Sequence, residues 1–196
     1  MYFDSWTCEA LENLPDYFKH ILDEVAQINL YKMKENRKHF RKNDYGFEQA
    51  MVTYLAEKFI RNIRNLPNNL ELGIAETLTK TKLESNKQPD FSLVKKDDGT
   101  VIEVMEVKTI IDNNFSWLRE DVCKLRELDE VQNKFLLSIN LYISRSAYTQ
   151  TIKRLSKFME NDKNNSLSIL CHGLLYRSRH GVQNFQLTYY YYLFKI

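Results

Sequence analysis

Gln88-Pro89-Asp90-Phe91-Ser92-Leu93-Val94-Lys95-Lys96-Asp97-Asp98-Gly99-Thr100-Val101-Ile102-Glu103-Val104-Met105-Glu106-Val107-Lys108-Thr109 is the stretch on which the reading of this chain turns. Two apolar, β-branched runs flank Asp97-Asp98-Gly99, the pattern of a β-hairpin. A three-residue loop closed by a glycine at positive φ pairs Lys96 with Thr100. The same register carried outward sets Asp90 opposite Glu106. Side chains alternate along a strand, so Lys108 shares a face with Glu106 while Val107 points the other way. A two-residue turn at Asp98-Gly99 instead slips the register by one and sets Asp90 beside Val107. The two registers disagree about whether the carboxylates meet.

An Asp directly across a strand pair from a Glu is destabilising unless a cation lies between them. Mg²⁺, or Mn²⁺, is the expected ion. It is hard and oxygen-seeking, and one or two carboxylates plus substrate phosphate oxygens usually hold it. No His or Cys stands in this stretch, which argues against zinc. The carbonyl of Val107 is a further candidate ligand. Such an ion polarises a phosphodiester and acidifies bound water. Lys108 would orient or help deprotonate the attacking water and offset charge on the reacting phosphate.

Pro89-Asp90, a spacer and Glu106-Val107-Lys108 resemble the signature of the PD-(D/E)XK nuclease superfamily, the restriction-endonuclease-like fold. The resemblance implies an α/β fold with an αβββαβ core, a mixed central sheet flanked by helices. It also implies a Mg²⁺-dependent endonuclease with Asp90 and Glu106 as metal ligands and Lys108 as the catalytic lysine. DNA is the favoured substrate; an RNA endonuclease with the same site is the alternative. A third reading is a non-catalytic nucleic-acid-binding module. The intact motif argues against it, because degenerate relatives usually lose an acid or the lysine.

The segment Gly46 to Ile60 carries an apolar stripe through Met51, Val52, Leu55 and Phe59. Three or four positions back from Met51 and Val52 stands Glu48, so its carboxylate is expected to face the sheet. The alternative is an exposed first-turn acid favoured by the helix dipole. By resemblance, Glu48 is the candidate auxiliary acid, a metal or water ligand. Gln88 is a candidate contact to phosphate or water. Lys124, on the helix after the motif, is another, because superfamily members often recruit a polar residue from that helix.

With 196 residues, 43% hydrophobic and 28% charged, the chain suits one domain: a helical extension over 1–45 and a nuclease core over 46–196. Helical spacing of Leu11, Leu14, Phe18, Ile21, Leu22, Val25 and Ile28 predicts helix from about Cys8 to Lys42, with Pro15 as a break or a turn. A first strand is expected within Leu70 to Thr81. A helix over Ser116 to Leu128, a strand over Lys134 to Ile143 and a helix over Ser146 to Glu160 follow the hairpin. Leu167 to Tyr176 and Phe185 to Ile196 form a C-terminal β-hairpin with Arg177, Arg179 and His180 in its loop.

A net charge of +2 excludes a uniformly basic binder, so any nucleic-acid footprint is a local patch. Lys32 to Lys42 is the best cluster, with Lys34, Arg37, Lys38 and Arg41 as candidate phosphate contacts; a solvated basic helix end explains it equally. Lys153, Arg154 and Lys157 read as a wet helix face, and the four histidines show no ligand spacing. Tyr189 to Tyr192 place two rings on each face of a strand, which suits packing, while an apolar terminal strand also suits a homodimer. Cys8, Cys123 and Cys171 show no C-x-x-C, as expected of reduced thiols in an intracellular, cytoplasmic or host-cytoplasmic protein. No signal peptide or membrane span is expected.

Overall fold

The structure is a computed structural model that describes residues 1–34, 47–66, 68–78, 81, 87–111, 116–160, 167–182 and 184–196. Among the described residues, five helices and six strands follow in the order α1 (Phe3–Glu12), α2 (Asp16–Lys34), α3 (Phe47–Ile63), β1 (Leu70–Ile74), β2 (Phe91–Lys95), β3 (Val101–Ile111), α4 (Ser116–Arg126), β4 (Asn133–Tyr142), α5 (Arg145–Glu160), β5 (Ser168–Val182) and β6 (Phe185–Lys195). The strands make one mixed sheet in the order β1-β2-β3-β4-β6-β5. β1, β2 and β3 run antiparallel in sequence, and β4 lies parallel to β3. A parallel neighbour requires a crossover, which α4 supplies. β6 then enters antiparallel to β4 and leaves β5 at the margin. No helix is long and apolar enough to cross a membrane among the described residues.

Alternation along the strands gives the sheet two buried faces and three layers. Phe91, Leu93, Met105, Val107, Phe135, Leu137, Tyr189 and Leu193 pack against α1, α2 and α3. Val104, Ile110, Leu136, Tyr192 and Phe194 pack against α4 and α5. The N-terminal helices share the first of these cores with α3 and the sheet. α1 begins at Phe3, ahead of the expected Cys8, because its cap is supplied from far along the chain. The buried Glu103 carboxylate accepts the N–H groups of Tyr2 at 3.0 Å and Phe3 at 2.8 Å, a negative charge at a helix N-terminus. Pro15 separates α1 from α2, and its carbonyl accepts the N–H of Phe18 at 3.0 Å.

The hairpin loop departs from expectation, and the site survives it. Lys95, rather than Lys96, closes against Thr100: the Lys95 N–H donates to the Thr100 carbonyl at 2.9 Å, and Gly99 turns at φ 69. That alone would misalign the carboxylates by one residue. A bulge follows, however, because Val94 pairs with Val101 while Leu93 pairs with Glu103, leaving Ile102 as the extra residue. Phe91 therefore faces Met105, and the register carried one step on brings Asp90 to Glu106.

A second correction concerns the last hairpin. Arg177, Arg179 and His180 lie within β5, which runs to Val182, and not in its loop. Three register shifts along β5 break its alternation. The tyrosine run does divide two and two: Tyr189 and Tyr191 join the α1–α3 core, and Tyr190 and Tyr192 face the α4–α5 side. The Tyr189 hydroxyl donates to the Leu22 carbonyl at 2.7 Å, and Tyr190 lies 4.9 Å from Tyr148, ring centre to ring centre.

Candidate active site

β2 begins only at Phe91, opposite Met105, while β3 continues to Ile111, so the upper half of β3 has a bare edge on that side. Two carboxylates cover it. Asp90, one residue before β2, accepts the Val107 N–H through Oδ2 at 2.7 Å. Glu48, from the first turn of α3, accepts the Thr109 N–H through Oε2 at 3.2 Å. Successive inward amides of one strand are thereby satisfied by side chains from two other elements, which fixes both acids without a regular ladder. N–H and C=O of one strand residue point the same way, so the Val107 carbonyl opens to this edge as well.

Glu106 and Lys108 stand on the adjoining face. Burial pushes the Glu106 carboxyl up to about 8, and the charge of Asp90 beside it adds to the shift. Burial also raises Asp90, although the Val107 amide and a hydrogen bond from Glu106 oppose that rise. Each acid thus makes the other harder to ionise, as like charges in contact do. Lys108 is buried to 9% exposure, and burial alone would lower its pKa. Glu48 and Asp121 reverse that and raise it: its Nζ lies 3.6 Å from Glu48 Oε1 and 3.4 Å from Asp121 Oδ2. Lys108 is an ammonium held between carboxylates from opposite layers of the sheet.

Asp121 is the member the sequence reading missed. It is 3% exposed, and its Oδ1 pairs with Lys124 Nζ at 3.0 Å. Its signal was present: Leu118, Val122 and Leu125 form the buried stripe of α4, and position 121 falls on that stripe. Lys124 is thereby tied to Asp121, and its own pKa is raised by that hydrogen bond. On β4, Ser138 is the register partner of Lys108 and donates to Asn140 Oδ1 at 3.3 Å, extending a buried polar strip beside the lysine.

Other candidates fall elsewhere. The Gln88 amide donates to the Ala75 carbonyl, and the Ala75 N–H donates to the Asp90 carbonyl at 2.9 Å, so Gln88 braces the loop at the end of β1. Ala75 needs the bracing, at φ 49. Lys34 ends α2, while Arg37, Lys38 and Arg41 lie outside the described residues. A concavity of about 390 Å³ at the start of α5, lined by Ser144, Arg145, Asn184 and Phe185 among others, includes none of the acids above.

No group of three or more His, Cys, Asp or Glu side chains stands close enough to hold a metal ion among the described residues. The donor set does fit a hard divalent ion of the kind carried by two carboxylates, a carbonyl and substrate oxygens. Asp90 and Glu106 are already joined by a hydrogen bond, and Glu48 and Asp121 flank Lys108 beside them. Compared with known proteins, the chain matches no family model and no solved structure at a significant level.

Proposed function

We propose that this protein is a metal-dependent endonuclease that hydrolyses phosphodiester bonds, with a core of the restriction-endonuclease-like type. DNA is the proposed substrate. The observation that carries the reading is the Asp90–Glu106 contact beside the clamped Lys108 at the bare edge of β3. Scaffold alone gives no reason to bury two carboxyl groups side by side next to a buried lysine. The order α3-β1-β2-β3-α4-β4, with β3 and β4 parallel, supports the same architecture.

Asp90 and Glu106 would hold Mg²⁺ or Mn²⁺ together with the Val107 carbonyl. The bound ion supplies charge neutralisation and acidifies water for attack on phosphorus. Asp90 is oriented for this by the Val107 amide, which leaves its second oxygen for the ligand. Lys108, kept protonated, is suited to neutralise charge on the phosphate oxygens and to donate a proton rather than to act as general base. Glu48 holds the lysine and the β3 edge, and as the partner of Lys108 it serves as the auxiliary acid.

The test is cleavage of labelled single-stranded, duplex and branched DNA and of RNA, with and without Mg²⁺, by wild type, Asp90→Ala and Lys108→Ala. Metal-dependent cutting by wild type alone is expected. Equal action by all three proteins, or none by any, overturns the assignment. Cutting confined to RNA moves the substrate class and keeps the site, and metal-independent binding without cutting identifies a nucleic-acid-binding module.

A further inference from the structure

We infer that Asp121 is the positioning residue of Lys108, the group that sets where the catalytic ammonium points. The inference rests on the nuclease reading for the meaning of Lys108 and on its own geometry for the role of Asp121. α4 shows the contrast: Arg119, Glu120, Cys123 and Lys124 are exposed, whereas Asp121 is turned into the protein among Leu118, Val122 and Leu125. A carboxylate withdrawn from water carries a large desolvation penalty that an apolar side chain at the same point would avoid. Its Oδ1 is engaged by Lys124, whose side chain is half exposed, so that pair alone could form at the surface. What requires burial is Oδ2. That atom has no conventional hydrogen-bond partner among the described residues and stands 3.4 Å from Lys108 Nζ.

Lysine has a flexible four-carbon stem and a point charge with three equivalent donors, so a single anion leaves its direction loose. Glu48 alone is such an anion. It is a partly exposed side chain from α3, 3.6 Å from Nζ. Asp121 approaches from α4, on the other side of the sheet, and two anions from opposite layers define a line for the ammonium. One donor remains for the reacting phosphate. Asp121 reaches no reacting atom itself; it acts through Lys108.

The test combines kinetics with a stability cycle on the metal-free protein. Asp121→Asn keeps the volume and removes the charge. It is expected to lower kcat by about 100-fold, the scale of a misplaced reacting group, with the KM for DNA unchanged. Asp121→Glu, which restores the charge on a longer stem, is expected to recover part of that loss. In the cycle, Asp121→Asn and Lys108→Met each lower Tm, and the double variant lowers it by less than the two shifts added together. Additive Tm shifts overturn the inference, as does coupling in Tm with kcat unchanged. Should Asp121→Asn fail to fold, the Asp121→Glu arm decides: a kcat equal to wild type overturns the inference, and a reduced kcat at unchanged KM supports it. Wild-type cleavage that Asp90→Ala abolishes but Asp121→Asn leaves intact removes only this proposal, whereas absence of wild-type cleavage removes the nuclease reading beneath it.

Discussion

Glu106 donates a hydrogen bond to Asp90, and Asp90 Oδ2 accepts the N–H of Val107 at 2.7 Å. A carboxyl held up to about 8 ties folding to pH with a definite sign. The folded protein keeps a proton that the unfolded chain releases near the ordinary value of 4.5. Its contribution to stability is therefore complete below about 4.5 and disappears as pH rises through about 8. Urea unfolding without divalent cations is expected to show lower stability at pH 9 than at pH 6. Glu106→Gln should flatten that decline and raise stability at pH 9 while abolishing cleavage. Added Mg²⁺ should restore the wild type at pH 9 and leave Glu106→Gln unmoved.

Asp23 carries the opposite sign. Burial would raise its pKa, but the hydroxyl of Ser178, the N–H and guanidinium of Arg179 and the hydroxyl of Tyr176 hold it down to about 2. That stability is present above the ordinary value of 3.8 and is lost as pH falls through about 2. Asp23→Asn should cost about 2 kcal/mol at neutral pH and remove the acid-sensitive component between pH 4 and 2. An acid unfolding profile identical to wild type would contradict this.

Glu103 caps α1 through the N–H groups of Tyr2 and Phe3. Glu103→Ala leaves buried donors without a partner and should cost about 1–3 kcal/mol in chemical unfolding. Amide exchange should show the loss first in α1, with the β2–β3 hairpin still protected.

Gly99 turns the hairpin at positive φ, and Ile102 restores the register beyond it. Gly99→Ala should lower stability by about 1 kcal/mol, the cost of a Cβ in the left-handed region. Cleavage per folded molecule should not change, since the bulge lies between the strained turn and the acids. A parallel loss of specific activity would show that turn and site are coupled.

How much of this could be read from residues follows from which forces were local. The hairpin, the α3 stripe that turns Glu48 inward and the α4–β4 crossover rest on periodicity, which a sequence displays. Lys95 replaced Lys96 as the closing residue because a bulge moved the extra position from the loop to Ile102, and apolar runs do not mark bulges. The length of β5 was hidden because Arg177 to Gly181 looks like loop; Ser178 and Arg179 belong there because they meet Asp23, and the register shifts blur alternation. Gln88 and Glu103 answer to Ala75 and to the start of α1, partners that folding alone supplies. Asp121 was visible on its helical stripe, but an acid on an apolar face declares its purpose only when Lys108 is seen beneath it.

The placement of β6 between β4 and β5 has a kinetic meaning. The contacts that close the larger core join opposite ends of the chain, such as Tyr189 with Leu22, 167 positions apart, and Arg179 with Asp23, 156 apart. Folding must search for these long-range closures before the helices gain their full cover, so it is slower than helix content alone would suggest. A chain that has emerged only as far as β4 still lacks β5, the strand against which α2 and α1 pack, so their apolar flanks stay uncovered through that interval.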